Sequence, residues 1–345
     1  VQIMNSPDAQ FDGILKIENR YDFLNLNTCK FAYQYVALPK VGNKNGMKVL
    51  KKGEVQGPDV AAHGEGTLQI APVVKGANAL MVTAYDYTGE ELFTWSYALD
   101  KVEMPTLATK GGKVTSNATE ENLIVTAGGR KYTFSQKDGQ LKEVRVGAKV
   151  ISLANGPRFI AAKRSDRSMD QFYNHDDKDA EKKKTQYTTF DDAGKFIGFT
   201  LSEEGQSLKV VADYKLGCFD KAVWTIAPDG KVSLDFEYNF SGVVDLMGVM
   251  FDYPEDKMLA KRWVGDGPYR VWQNRLHGPQ LGVWQNDYND PIPGESFDYP
   301  EFKGYFANVQ WMELNTQEGV IRIANKQPEN YMGVYQPRDG RDALL

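Results

Sequence analysis

Residues 222–240 read AVWTIAPDGKVSLDFEYNF, two runs of alternating apolar and polar residues joined by Ala-Pro-Asp-Gly-Lys. Alternation with a period of two places one face of each run in a core and the other in solvent, which is typical of β-strands. The Asp-Gly pair tolerates the positive φ angles of a tight turn. The stretch therefore predicts an antiparallel hairpin.

Short alternating segments separated by turn residues recur along the rest of the chain. In the first hundred residues they are GILKIEN (13–19), FAYQYVAL (31–38), GTLQIAP (66–72), ALMVTAYD (79–86) and LFTWSYAL (92–99). Further on they are NLIVTAGG (122–129), KYTFSQKDGQLKEVRVG (131–147), FIGFTLSEE (196–204), LKVVADYKL (208–216) and GVVDLMGVMFDY (242–253). Residues 38–66 supply turn and loop chemistry instead. The fold class predicted is all-β.

The segment 100–122, DKVEMPTLATKGGKVTSNATEEN, interrupts the alternation with proline, paired glycines and small polar residues. It predicts an immunoglobulin-like β-sandwich at residues 1–108, since five to seven short strands fit that fold, and a large antiparallel β-sandwich at 109–345. The single candidate helix, HDDKDAEKKKT (175–185), reads equally well as a solvated loop. A TIM barrel needs eight strands alternating with amphipathic helices, and the sequence supplies neither.

Composition narrows the function classes. With 41% apolar and 25% charged residues over 345 positions, the chain is predicted to be globular. A net charge of -5 disfavours nucleic-acid binding, and the longest apolar runs, such as ANALMVTAY (77–85), are too short to span a bilayer. We expect neither nucleic acid nor membrane as a partner. Cys29 and Cys218 are interpreted as buried thiols rather than a bridge.

Candidate catalytic groups form no known signature. His63, His175 and His277 lack the clustered ligands of a zinc site, and the carboxylates next to His175 are read as a hydrated loop. We predict no metal site and assign no catalytic residue. Two carboxylates can hydrolyse a glycoside, but the sequence does not place two of them across a bond. The candidates, read mainly as solvated surface groups, are Asp287, Asp290, Glu295, Asp298, Glu301 and Glu313.

Tryptophans are concentrated between residues 263 and 311, where four of the six lie. Aromatic faces suit the apolar C–H patches of sugar rings, and they suit the core of a broad sandwich equally well. In the sugar-binding hypothesis, three of these tryptophans stack on the sugar and two charged residues hydrogen-bond its hydroxyl groups. Its candidates are Arg164, Asp166, Trp272, Trp284 and Trp311.

Four blocks of the sequence resemble the C-terminal region of family 2 glycoside hydrolases of the β-galactosidase type, in the family's order. The first resembles the opening of the family's penultimate domain. The next resembles its Gly-Pro-Arg segment, the third its W-x-G-x-G-P block, and the last continues into the following loop and strand. They are IENRYDFLNLNTCKFAYQYV (17–36), LANGPRFIAAKRSDRSMD (153–170), RWVGDGPYRVWQNRLHGPQLGVWQNDYND (262–290) and YPEFKGYFANVQWMEL (299–314).

The resemblance implies an immunoglobulin-like domain followed by a galactose-mutarotase-like super-sandwich, shortened at its C-terminal end. It implies a non-catalytic region that buttresses the barrel and walls one side of the sugar pocket. The parent would hydrolyse terminal β-galactosides, or related glycans, with retention. Its catalytic glutamates would lie in a barrel, and no position of this sequence matches their motifs. The expected partners are a carbohydrate and the missing catalytic domains of the same polypeptide. No cofactor is evident in the sequence. For the intact parent, a divalent or monovalent cation stays an open expectation. Export to the periplasm or the medium suits such an enzyme.

Within the third block, Gly265, Gly267 and Pro268 are expected to form a tight turn between strands. Trp263 and Trp272 would anchor this turn. Arg270 and Arg275 would hydrogen-bond loop carbonyls or carboxylates.

Two alternatives remain open. One is a carbohydrate-binding module without hydrolytic activity, which an exposed aromatic cluster beside Arg164 would favour. The other is an epimerase of mutarotase type, which requires a histidine and a carboxylate facing each other in a cleft. No motif assigns those roles to His277 or Glu313.

Overall fold

The computed structural model describes residues 1–102, 112–153, 155–164, 187–190, 194–244, 246–271, 276–287, 304–334 and 343–344. Within these ranges the chain is all-β with antiparallel pairing, as predicted, and it has two short 3-10 helices, Leu26–Thr28 and Glu255–Lys257. No helix of the described residues is long and apolar enough to cross a membrane.

The first hundred residues form seven strands. They are β1 Gln2–Ile3, β2 Ile14–Glu18, β3 Lys30–Ala37, β4 Lys48–Gln56, β5 Glu65–Gln69, β6 Ala79–Tyr85 and β7 Glu91–Ala98. One sheet has the order β1-β2-β5 and the other β4-β3-β6-β7. Their inner faces share one core, to which Leu15 and Ile17 contribute from the first sheet and Phe31, Tyr35 and Leu80 from the second. The alternation in the sequence predicted these inner faces correctly.

Strand β4 is a correction to the sequence reading, which gave residues 38–66 to turns and loops. It lies at a sheet edge and pairs with β3 alone, so its side chains are mostly exposed and carry no apolar alternation. Lys48, Lys51 and Lys52 lie along this edge, where charged residues discourage pairing with other chains.

Of the four described sheets that follow residue 112, three are formed mainly by residues 115–253. Their strands are β8 Thr115–Ala118, β9 Asn122–Ala127, β10 Arg130–Ser135, β11 Leu141–Val146, β12 Lys149–Ser152, β13 Asn155–Arg164, β14 Tyr187–Phe190, β15 Lys195–Glu204, β16 Ser207–Lys215, β17 Phe219–Ile226, β18 Val232–Tyr238 and β19 Leu246–Tyr253. The sheet orders are β12-β11-β10-β9-β8, β15-β16-β17-β18 and β14-β13-β19 with a short strand β24, Ala343–Leu344, at its edge.

The hairpin predicted at residues 222–240 is confirmed. Strands β17 and β18 pair with Ile226 opposite Val232, and Gly230 in the turn has φ +78°. Ala222, Trp224 and Ile226 point into a core shared with the sheet that contains β10. The apolar positions of the alternating pattern in residues 222–226 are therefore the positions that pack into this core.

The last sheet has the order β21-β20-β22-β23, formed by β20 Met258–Gly267, β21 Gln280–Asp287, β22 Trp311–Thr316 and β23 Gly319–Ala324. One face packs into a core that includes Trp263, Met312 and Leu314. The opposite face packs against the first half of the chain. Its members and their partners are Val264, Leu281 and Trp311 with Val36, Leu38, Val41 and Ala79.

Glu318, in the turn between β22 and β23, joins this sheet to its neighbours. Its carboxylate accepts hydrogen bonds from the Lys257 ammonium at 2.7 Å, the Tyr253 hydroxyl at 2.8 Å, and the Ser152 amide and hydroxyl at 2.9 and 2.8 Å. Burial favours a higher pKa, but these hydrogen bonds outweigh it and lower the pKa of Glu318 to about 2.

Two further predictions concern individual segments. The candidate helix 175–185 lies outside the described residues, as do residues 103–111 of the predicted boundary. Cys29 and Cys218 are both free thiols, as expected, although Cys218 is half-buried rather than buried.

Candidate functional site

Trp311 is a structural residue at the junction between the two halves of the chain. Its side chain is 1% exposed, and its indole N–H donates to the carbonyl of Pro39 at 2.8 Å. The Arg262 guanidinium lies over the ring, 5.2 Å from its centroid. A ring enclosed in this way cannot stack on a sugar, so Trp311 is removed from the predicted carbohydrate-binding residues.

Glu313, one of the candidate carboxylates, belongs to the same junction. It is 8% exposed and accepts hydrogen bonds from the Gly42 amide at 3.0 Å and the Arg322 guanidinium at 2.8 Å. Arg262 lies 3.6 Å from its second oxygen and donates to the carbonyls of Asn43 and Asn45. This carboxylate is engaged in holding residues 42–45 rather than available for catalysis.

Trp284, on strand β21, is the predicted sugar-binding residue that remains at the surface of the described structure. Its indole is half-buried, and its N–H is shared between the carbonyls of Gly265 and Gln280, both at 3.1 Å. A Cβ added at Gly267 or Gly282 would approach the indole more closely than 3.0 Å. These two glycines therefore make the space that the ring fills.

The proposed turn in the third block is wrong in its position. Trp263, Gly265 and Gly267 lie within strand β20, and the chain leaves the strand at Pro268. The glycines are needed for close packing rather than for turning, because a Cβ at Gly265 would also meet the Val309 backbone at 2.9 Å. Trp263 does bind the backbone of this block, because its indole N–H donates to the carbonyl of Asp266 at 2.8 Å.

Arg262, which the sequence reading did not select, donates to the loop carbonyls of Asn43 and Asn45. Arg270 follows the strand and is half-buried. Arg275, Trp272 and Asp166 lie outside the described residues, and for Arg164 the structure gives the backbone, paired with Tyr187 in strand β13. The predictions for these side chains remain predictions.

The histidines do not meet the candidate carboxylates in the described structure. His63 is exposed and lies 3.2 Å from Asp22, and His277 is exposed in the loop before β21. Asp287 is exposed at the end of β21. Among the described residues, no group of three or more His, Cys, Asp or Glu is placed to hold a metal ion. The remaining candidates lie outside them: His175, Asp290, Glu295, Asp298 and Glu301.

A cleft of about 550 Å³ opens between the end of β7 and the sheet that contains β20. Tyr97, Leu99 and Asp100 line it on one side. Asp266 and Asn308 line it on the other, and the Asn308 amide donates to the Asp266 carboxylate at 2.8 Å. Its volume falls in the range of small-molecule sites, which are concave and carry a few convergent polar groups.

Asp266 is the electrostatically unusual group of this cleft. Burial raises its pKa to about 6, and the hydrogen bond from Asn308 opposes that rise without cancelling it. Carboxylates with a raised pKa in a cleft are candidates for binding or proton transfer. Asn308 has φ +50°, a conformation that asparagine tolerates better than most residues and that fixes the direction of its amide.

Sequence reasoning missed Asp266 although it lies in the middle of the quoted third block. An Asp between two glycines resembles a solvated turn. Nothing local reveals that a second segment, 42 residues away at Asn308, and a third in the first half of the chain enclose it. One signal was available. Asp266 continues the alternation of Arg262 and Val264, so it faces the same side as they do.

A family model described as beta galactosidase small chain matches residues 126–335, more than half of the chain. No curated protein matches. The matched segment contains three of the four resembling blocks, and the block at 17–36 precedes it.

Proposed function

The chain belongs to the β-galactosidase small chain family, and from this membership we propose that it is the accessory, non-catalytic β region of a β-galactosidase-like glycoside hydrolase. In the complete protein it supports the catalytic barrel and forms one wall of the pocket in which terminal β-galactosides are hydrolysed. The observation that carries the proposal is the match over residues 126–335.

Trp284 is the residue that we assign to the carbohydrate wall. Its half-buried ring packs against the core and occupies the space that two glycines leave, and its N–H is already satisfied. The exposed part of the ring is therefore available to an apolar sugar face. The wall would be completed by the candidates whose side chains the structure does not describe, Arg164, Asp166 and Trp272.

The test is hydrolysis of a chromogenic β-galactoside by this chain and by the whole polypeptide that contains it. We expect turnover by the whole polypeptide alone. Within it, Trp284→Ala should raise KM about tenfold, since losing one stacking contact costs about 1.4 kcal/mol, whereas Trp284→Phe keeps an aromatic face and most of the affinity. Turnover by this chain alone would contradict the accessory role.

We also propose that the chain consists of two domains, an immunoglobulin-like domain at 1–108 and a galactose-mutarotase-like domain at 109–345. In support, strands β1–β7 form two sheets among themselves and share one core. Limited proteolysis should then cut first between residues 100 and 122. A first cut inside either β-rich region would contradict this division.

A further inference from the structure

The cleft that contains Asp266 lies on the opposite face of its sheet from Trp284. Asp266 pairs with Leu281, which also lines the cleft, whereas Trp284 pairs with Trp263. Residues directly opposite in an antiparallel pair share a face, and positions three apart along a strand point to opposite faces. A ligand in the cleft is therefore separated by the sheet from a ligand on Trp284.

We propose that this cleft is a second carbohydrate site, which takes a neutral mono- or disaccharide through Asp266 and Asn308. This inference rests on the proposed function for the class of ligand, but it concerns a different surface. The proposal is for binding alone, and no hydrolytic step is assigned to this cleft.

The groups on the cleft wall match the chemistry of a pyranose. The Asp266 carboxylate accepts hydrogen bonds from hydroxyl groups, and the neighbouring Asn308 amide offers both a donor and an acceptor. Leu99 and Leu281 belong to the cores and are 5% and 3% exposed. The apolar surface for the C–H face of the ring therefore comes from the half-buried Tyr97 and Pro328 and the exposed Ala98. This mixture of a few oriented polar groups on an apolar wall is typical of small-molecule sites.

The charges of the lining select against acidic ligands. Asp100, Asp266 and Glu329 line the cleft together with one cation, Lys101. The ammonium of Lys101 donates to the carbonyl of Lys326 at 3.1 Å. A uronate or a phosphorylated sugar would therefore meet a negative wall, and a neutral sugar meets no such repulsion.

The experiment is titration calorimetry of the whole chain with lactose, galactosamine and galacturonate. We expect lactose to bind, and to bind more tightly at pH 7.5 than at pH 5, because an ionised carboxylate is the stronger acceptor. Asp266→Asn should weaken lactose binding about tenfold, and Asn308→Gly, which preserves the left-handed backbone, should weaken it several-fold.

Two control variants separate this site from the first. Asp287→Asn changes an exposed carboxylate on the same sheet and should leave cleft binding unchanged. Trp284→Ala removes the ring on the other face, so a loss of lactose binding in this variant, with none in Asp266→Asn or Asn308→Gly, would overturn the cleft proposal and leave the proposed function intact. Absence of any lactose binding, or binding of galactosamine alone, would also overturn it.

Discussion

The Asp266 carboxyl group lies where solvent reaches it poorly, and among the described residues the Asn308 amide hydrogen-bonds it. The folded protein therefore holds a proton on this group at pH values at which the unfolded chain has released it. The stability that the neutral form contributes is fully present below about pH 4. It is lost as the pH rises through about 6.

Asp266→Asn should stabilise the fold near neutral pH and change it little near pH 4. The amide keeps the shape and the contact with Asn308 but carries no charge, and a rise in pKa from 3.8 to about 6 corresponds to at most about 3 kcal/mol. Urea unfolding of wild type and variant at pH 4.5 and pH 7.5 measures the difference. Asp100→Asn, on the exposed rim of the cleft, should change stability by less than about 0.5 kcal/mol at both pH values. Parallel pH profiles for wild type and Asp266→Asn would refute the prediction.

Individual residues show where sequence reasoning succeeded and where it could not. The inward positions of β17 and the free thiols followed from alternation and spacing, which are local properties. The burial of Trp311 and the enclosure of Asp266 depend on segments more than two hundred and about forty residues away, respectively. A single sequence does not reveal such contacts, so a core tryptophan and a stacking tryptophan look the same in it.

At the scale of elements, strand β20 shows that glycines can mark close approach as well as turning. Gly267 and Gly282 lie on neighbouring strands, and each leaves room for the indole of Trp284. The sequence analysis assigned Gly267 to a turn. A glycine that allows a turn and a glycine that makes room for a neighbouring side chain cannot be told apart in a single sequence.

Gly267→Ala and Gly282→Ala should each destabilise the protein by about 1–3 kcal/mol and shift the emission of Trp284. The added methyl would lie less than 3.0 Å from the ring, so the ring or the strand must move. Gly248→Ala is the matched control, since it lies in strand β19 with no heavy atom within 4 Å of the added Cβ. It should be nearly neutral in urea unfolding. Equal losses at all three positions would show that the packing against Trp284 is not the cause.

Glu318 links three elements of the second half. Its four hydrogen bonds reach the end of β12, the end of β19 and the 3-10 helix Glu255–Lys257. Glu318→Gln should destabilise the protein at neutral pH by about 1–2 kcal/mol, less than the fall in pKa from 4.5 to about 2 would give in full, because solvent screens part of the interaction. This contribution is present above about pH 4.5 and is lost as the pH falls toward 2. The unfolding curves of variant and wild type should therefore converge in acid, and a constant difference at every pH would argue against the carboxylate as the source.

At the scale of the whole molecule, the sheet of β20 to β23 is covered on both faces. One cover is the core of the second half and the other is the first half of the chain. The sequence predicted two β regions, but it did not show that the second needs the first to cover Val264, Leu281 and Trp311.

A fragment of residues 112–345 should self-associate or unfold less cooperatively than the intact chain. Removing the first half exposes a tryptophan and several aliphatic side chains, and each buried side chain of this size contributes about 1.5–3 kcal/mol. Size-exclusion chromatography with light scattering and thermal unfolding measure both effects. Adding separately produced residues 1–111 should restore a one-to-one complex. A monomeric fragment that melts like the intact chain would contradict the prediction.

The double covering of this sheet also bears on how such a protein is inherited. A recombination event that moved only residues 126–335 into a new gene would expose the apolar face that the first half covers. The product would tend to aggregate unless another segment came to cover that face. An exchange that keeps Val36, Leu38 and Val41 with their partners carries no such penalty. Descent should therefore keep both halves together in one reading frame, even though the family match lies within the second half alone.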